Sequence, residues 1–159
     1  MNKKLDNIDI SILNVLQNNS RISNAELSAK VNLSQTPCLR RLRNLEESGL
    51  IERYTIRLNH QMIGAIVSAF VFVKVNKNTS ANASDFESAV ADLYEVTECC
   101  VLAGSHDYVL RVTTDTLQSF ELFLKEKLAN VPMVEGIEST IILNQLIKRD
   151  VPLNAKACR

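Results

Sequence analysis

From Ser68 the chain runs Ser-Ala-Phe-Val-Phe-Val-Lys-Val, an extended segment whose apolar residues occupy both faces. Side chains alternate between the faces of a strand, so such a segment needs a layer on each side of its sheet. The sequence that follows supplies only one. Periodicity predicts a helix at about 84–93, strands at about 96–103 and 108–113, a helix at about 117–129 and a strand at about 136–148. Gly104-Ser105-His106-Asp107 is the expected turn between the middle strands, and Pro132 falls in the last connection. The order β-α-β-β-α-β is a ferredoxin-like split βαβ unit, with both helices on one face of an open four-stranded sheet. The last strand is also apolar on both sides, through Ile137, Ile141, Leu143 and Ile147 on one and Ile142 and Leu146 on the other. The bare face is therefore expected to pack against a second copy, giving an obligate homodimer.

The first 50 residues follow a different, helical period. Ile8, Ile12, Val15 and Leu16 share one face of a first helix, with Asp6 as its N-cap and Asp9 in its first turn. Ser23 and Glu26 form an S-x-x-E capping box for a second helix, stapled by Ile22 and Leu27 and stopped at Asn32. A third starts at Ser34 or Thr36, carries Pro37 in its first turn, and ends at Gly49. The expected fold class is thus α+β: a winged helix-turn-helix at 1–50, a linker or hinge strand at 51–66, a ferredoxin-like domain at 67–150 and a tail at 151–159.

With Cys38, Leu42 and Leu45 turned inward, the third helix presents Thr36, Arg40, Arg43 and Glu47 outward. Arginine can bond guanine in bidentate fashion, while small polar side chains read or position base edges and phosphates. The candidate DNA-binding residues are Ser34, Gln35, Thr36, Pro37, Arg40, Arg41, Arg43 and Asn44, with Arg41 nearer the core edge and open to pairing with Glu46 or a phosphate. Arg53, Tyr54 and Arg57 are candidates for a wing. The net charge is zero, but residues 1–60 hold nine basic against six acidic groups, and the remainder nine against twelve. That asymmetry points towards double-stranded DNA as the partner of the first half. A solvated charged face is the simpler alternative.

No cofactor or metal is expected. Cys38, Cys99, Cys100 and Cys158 form no CxxC pair, and His60 and His106 stand far apart. Reduced, buried thiols are expected, with Cys99 and Cys100 in a core strand. No apolar run approaches the roughly 18–20 residues that cross a bilayer, and no signal-peptide pattern opens the chain, so a cytoplasmic location is expected. An enzyme is the main rival function. Yet no GxGxxG, GxxxxGK[ST], GxSxG or HExxH motif occurs, and no catalytic residue is assigned. A DNA-binding protein without an effector is a second rival.

The stretch from Leu5 to Ile51, with its S-x-T-P-C and L-E-x-x-G segments, resembles the helix-turn-helix of the Lrp/AsnC family. GSHDYVLRV at 104–112 resembles that family's G-x-x-D-Y-x-L turn and strand. The resemblance covers Leu5 to about Leu153. It implies dimers that associate further, commonly into octamers, and an amino acid or related metabolite bound between neighbouring C-terminal domains, near Gly104, Ser105, His106, Asp107 and Tyr108. Relatives commonly carry an aromatic or acidic residue where this chain has His106. Physically, Gly104 could turn with positive φ or let the backbone approach closely. Asp107 could accept from an α-amino group, and free backbone N–H groups could take an α-carboxylate. An ordinary hairpin with Asp107 capping its own backbone is the alternative. Ser139 and Thr140 on the last strand are further candidates for the same cleft.

Overall fold

The computed structural model describes residues 5–60, 62–64, 67–76, 81–148 and 153. It divides into two compact units, one of residues 1–57 with 147–159, the other of residues 58–146.

The first unit holds three helices, α1 (Asn7–Asn18), α2 (Asn24–Lys30) and α3 (Gln35–Glu47). The start of α1 is a capping box: the Asp6 carboxylate accepts from the N–H groups of Ile8 and Asp9, and the Asp9 carboxylate accepts from that of Asp6. The start of α2 is the expected Ser23–Glu26 box. Each box satisfies N–H groups that a helix start leaves without partners. Ser34 is the N-cap of α3 by position, but its side chain makes no capping bond. Asn32 ends the second helical segment at φ 54°, and Gly49 sits just beyond α3 at φ 74°. The left-handed region costs glycine little, which is why the third helix can stop there.

Ile12, Leu13, Leu27, Val31, Cys38 and Leu45 form this unit's core, and Ile22, Leu42 and Leu153 pack against it. Full burial of such side chains stabilises by roughly 1.5–3 kcal/mol each. The Leu33 N–H donates to Ser28 O and the Asn24 amide to Gln35 O, so the α2–α3 turn is tied at both ends. Leu153 O accepts from the Asn14 amide. Cys158 and the rest of the expected tail lie outside the described residues.

The second unit is the expected βαββαβ arrangement. Its elements are β1 (Val67–Val75), α4 (Ala81–Ala91), β2 (Val96–Val101), β3 (Tyr108–Thr114), α5 (Leu117–Leu122) and β4 (Val134–Ile141). After α5 the helix continues as a π-helical turn, Phe123–Lys127, and a 3-10 turn, Leu128–Asn130. The antiparallel sheet has the order β2-β3-β1-β4. Ala69, Val71, Val73 and Val75 of β1 share a face with Tyr108, Leu110 and Val112 of β3, and meet Phe86, Val90, Phe120, Phe123 and Leu128 from the helices.

The opposite face carries Phe70 and Phe72 opposite Arg111 and Val109. Arg111 lies over the Phe70 ring at 5.8 Å, and its side chain also reaches Gln145 and Glu98. Several expectations change here. The last strand ends at Ile141, not near Lys148, and Leu143, Leu146 and Ile147 are exposed. Glu138 and Thr140 pair with Phe72 and Phe70, so β4 contributes polar groups to the bare face. Cys99 and Cys100 are exposed free thiols, because β2 is an edge strand; only Cys38 among the described cysteines is buried.

Candidate functional site

In the first unit, α3 sorts its side chains by helical period. Cys38 and Leu45 are fully buried, whereas Gln35, Thr36, Arg40, Arg43 and Asn44 are exposed, as is Ser34 before them; Pro37 is half-buried. Arg40 and Arg43 are three residues apart and so neighbours on one helix face. Helix α3 thus offers two exposed guanidinium groups flanked by short polar side chains.

Arg41 behaves differently. Its Nη1 lies 2.6 Å from Asp6 Oδ2 and 2.8 Å from Asp9 Oδ1, the two carboxylates that cap α1. Glu46, the alternative expected partner, instead accepts from the Tyr54 hydroxyl at 2.7 Å. The hydrogen bonds to Asp6 and Asp9 hold the Arg41 guanidinium above its usual pKa. Asp6 is held below the usual carboxylate range, first by the Asp9 N–H and, against a smaller burial effect, by Arg41. The cause is simple geometry: position 41 is one residue past the exposed Arg40, on the side of α3 that meets α1. Burial and then the bond to Glu46 push the Tyr54 phenol up to about 12, so it stays a neutral donor. The Arg57 guanidinium donates to Lys148 O, and Arg53 is exposed. Residues 52–59 form no strand within this chain.

In the second unit, Gly104–Asp107 forms the turn between β2 and β3. Gly104 does not have positive φ, and a Cβ there would meet no atom within 4 Å, so neither reason for glycine arises within this chain. Asp107 is committed to the fold: its Oδ2 accepts from Val75 N at 2.9 Å, its N–H donates to Val73 O, and its carbonyl accepts from Leu102. The carboxylate thereby closes the end of β1, where the β1–β4 register shifts between Lys74 and Val75. Among the described residues, the N–H groups of Gly104, Ser105 and His106 have no acceptor.

His106 Nε2 lies 3.3 Å from Glu138 Oε2, and its ring sits 5.4 Å from that of Phe72. Ser139 and Thr140 are not brought to the turn. They lie on β4, which β1 separates from β3, and they pair with Val71 and Phe70, on opposite sheet faces. Period-two alternation points their side chains to opposite faces of the sheet. Glu138, one pair nearer the turn end of β1 than Ser139 and two nearer than Thr140, is the β4 residue that does reach His106.

A groove of about 430 Å3 lies on the helix side of β2. Val90 and Ala91 of α4 form one wall, Val96, Cys99 and Val101 of β2 the other, and Tyr108 borders both. Val101 is the last residue of β2 and Tyr108 the first of β3, so the groove ends at the turn. The Tyr108 hydroxyl donates to Glu87 Oε1 at 3.0 Å. Burial first, and Glu87 second, push this phenol up to about 12. Burial, with Cys100 and Glu87 nearby, likewise raises the Cys99 thiol. The sequence reading missed Glu87, whose position one helical turn before Ala91 puts it on the groove side of α4. Among the described residues, no His/Cys/Asp/Glu group is arranged to hold a metal ion, and no helix is long and apolar enough to cross a membrane.

Two family models match. The Lrp/AsnC ligand binding domain covers residues 68–152, and a winged helix-turn-helix DNA-binding model covers 5–52. The leucine-responsive regulatory protein of Escherichia coli is 38% identical over 91% of this chain and 88% of its own length. The Bkd operon transcriptional regulator of Pseudomonas aeruginosa is 38% identical over 94% and 97%. A transcriptional regulator from Neisseria meningitidis, solved as its L-methionine complex, superposes with TM-score 0.90 at 33% identity, covering 96% of this chain and 98% of that one.

Proposed function

The chain belongs to the Lrp/AsnC family of transcriptional regulators, and on that premise we propose that α3 reads DNA through Arg40 and Arg43 while the turn at 104–108 takes an amino-acid effector. The observation that carries the DNA reading is the contrast along one helix. Arg40 and Arg43 stand exposed on the face turned from the core, whereas Arg41 is held by the caps of α1. Gln35, Thr36 and Asn44 flank the two free arginines, with Ser34 and Pro37 at the helix start able to approach phosphates. Arg41 acts by fixing the angle between α1 and α3, which presents the reading face.

For the effector, the N–H groups of Gly104, Ser105 and His106 are the receptor for an α-carboxylate, since successive backbone donors form an anion-binding concavity. Asp107 also braces that turn, its Oδ2 accepting from the Val75 N–H. The Neisseria relative was solved with L-methionine and the E. coli relative is named for its leucine response, which supports an amino acid as the effector class. The face bearing Phe70, Phe72 and Val109 packs against a second copy, with the rim charges Arg111, Glu98 and Glu138 setting register. Association of such dimers into octamers, and action in the cytoplasm where the DNA is, complete the proposal.

A gel-shift titration with the DNA upstream of the protein's own gene, at two salt concentrations and with or without pooled amino acids, tests it. Specific retardation should change with the pool, and Arg40→Ala should weaken it while leaving the dimer intact. Equal affinity of Arg40→Ala and the parent at moderate salt would remove α3 as the reading element.

A further inference from the structure

The groove between α4 and β2 has a chemistry that the turn alone lacks. Val90, Ala91, Val96 and Val101 make its lining largely aliphatic, Thr97, Cys99 and Tyr108 add neutral polar groups, its charged residues are Glu87 and Glu98 with no cation, and its volume of about 430 Å3 falls within the range of small-ligand sites. Of its two exposed acidic residues, Glu87 is the one on the helix wall. The Tyr108 hydroxyl fixes Glu87 Oε1 at 3.0 Å, and the other oxygen has no partner among the described residues. Because that phenol is pushed up to about 12, it remains a donor at any physiological pH and keeps the carboxylate in one orientation. Glu98, the other acidic residue beside the groove, pairs on the opposite sheet face with Arg111 at 3.8 Å.

We propose that Glu87, oriented by Tyr108, is the counter-ion for the effector's ammonium group, and that the groove selects a monocarboxylic amino acid with an uncharged, apolar side chain. This rests on the effector reading above and deepens it. The α-carboxylate lies towards the turn N–H groups, the ammonium meets Glu87, and the side chain lies against Val90, Ala91, Val96 and Val101. A second carboxylate on the ligand would face Glu87 with no cation to offset it, so acidic amino acids are rejected by repulsion as much as by fit. A charge-assisted bond of this kind discriminates by about tenfold or more.

Calorimetric titration of the full-length protein with each of the twenty amino acids and with N-acetyl-L-methionine tests the assignment. The parent should bind L-methionine or L-leucine, and bind L-glutamate and the acetylated probe at least about tenfold more weakly. Glu87→Gln keeps an acceptor for Tyr108, so the fold is retained. It should bind the neutral-side-chain amino acids about tenfold more weakly and close most of their gap to the acetylated probe. A purely structural Glu87 would lower all affinities together and leave that gap open. Undiminished binding of L-methionine or L-leucine by Glu87→Gln would overturn the assignment while leaving the effector reading standing. If the parent binds none of the twenty amino acids, the effector reading falls and takes this assignment with it.

Discussion

Adjacent arginines on one helix are predicted to fail in different ways. Arg41 bonds two carboxylates, and these are not equal: the Asp6 side chain is 49% exposed, that of Asp9 only 9%. Water can replace Arg41 at Asp6, so that half of the pair is worth a few tenths of a kcal/mol. It cannot easily do so at Asp9, where truncation leaves a buried carboxylate short of a partner. Loss of a hydrogen bond to a charged group costs about 1.5–3 kcal/mol. The arginine is itself 30% exposed, which places the expected cost of Arg41→Ala near the middle, about 2 kcal/mol. Arg40→Ala, at an exposed site, should cost less than about 0.5 kcal/mol. Urea unfolding followed by circular dichroism should show a lower midpoint for Arg41→Ala with an unchanged slope. Amide exchange should localise the loss to α1. The pH dependence has a definite sign. Asp6 is depressed in the folded state, so its share of the stability is present above its ordinary value of 3.8 and is lost as pH falls through the lower folded value. The gap between parent and variant should therefore narrow below about pH 3.8. An Arg41→Ala protein as stable as the parent, but as poor as Arg40→Ala at binding DNA, would refute the division of labour.

Two further outcomes follow from the second unit. Asp107→Ala removes the acceptor of Val75 N–H at the irregular end of β1, and should destabilise this unit by about 1–3 kcal/mol, read as a lower urea midpoint. Any loss of effector response in that variant should be partial and should track the melting of the turn, in contrast to a direct ligand, whose removal would abolish the response in a fully folded protein. Glu95 is buried and receives Lys127 Nζ at 2.6 Å, while its other oxygen is buried without a hydrogen-bond partner among the described residues. Burial raises this carboxyl, but the Lys127 bond and backbone donors together outweigh it and leave it below its ordinary 4.5. Its stabilisation is thus complete above pH 4.5 and is lost as pH falls through the lower folded value. Thermal melts from pH 6 to about 3 should show a midpoint loss that is reduced in Glu95→Gln, after allowing for that variant's lower starting stability.

The element order and the identity of the two functional segments were legible because they depend on local rules. The N-cap at Asp6, the capping box at Ser23 and the stop at Gly49 are written in residues within a few positions of one another. Helical period alone also turned Cys38 and Leu45 inward and Arg40 and Arg43 outward. Spatial neighbours far apart in sequence were not legible. Arg41 meets Asp6 and Asp9 across 35 and 32 residues, and Asp107 meets Val75 across 32. The order β2-β3-β1-β4 made β2 an edge, which exposed Cys99 and Cys100 and opened the groove beside α4. It also set β1 between the turn and Ser139 and Thr140, while bringing Glu138 to His106. Local pattern selects the elements because backbone hydrogen bonding and burial act over one or two turns of chain. Which charge finds which partner is decided only when those elements pack, because a long side chain can reach any of several neighbours until the fold removes all but one.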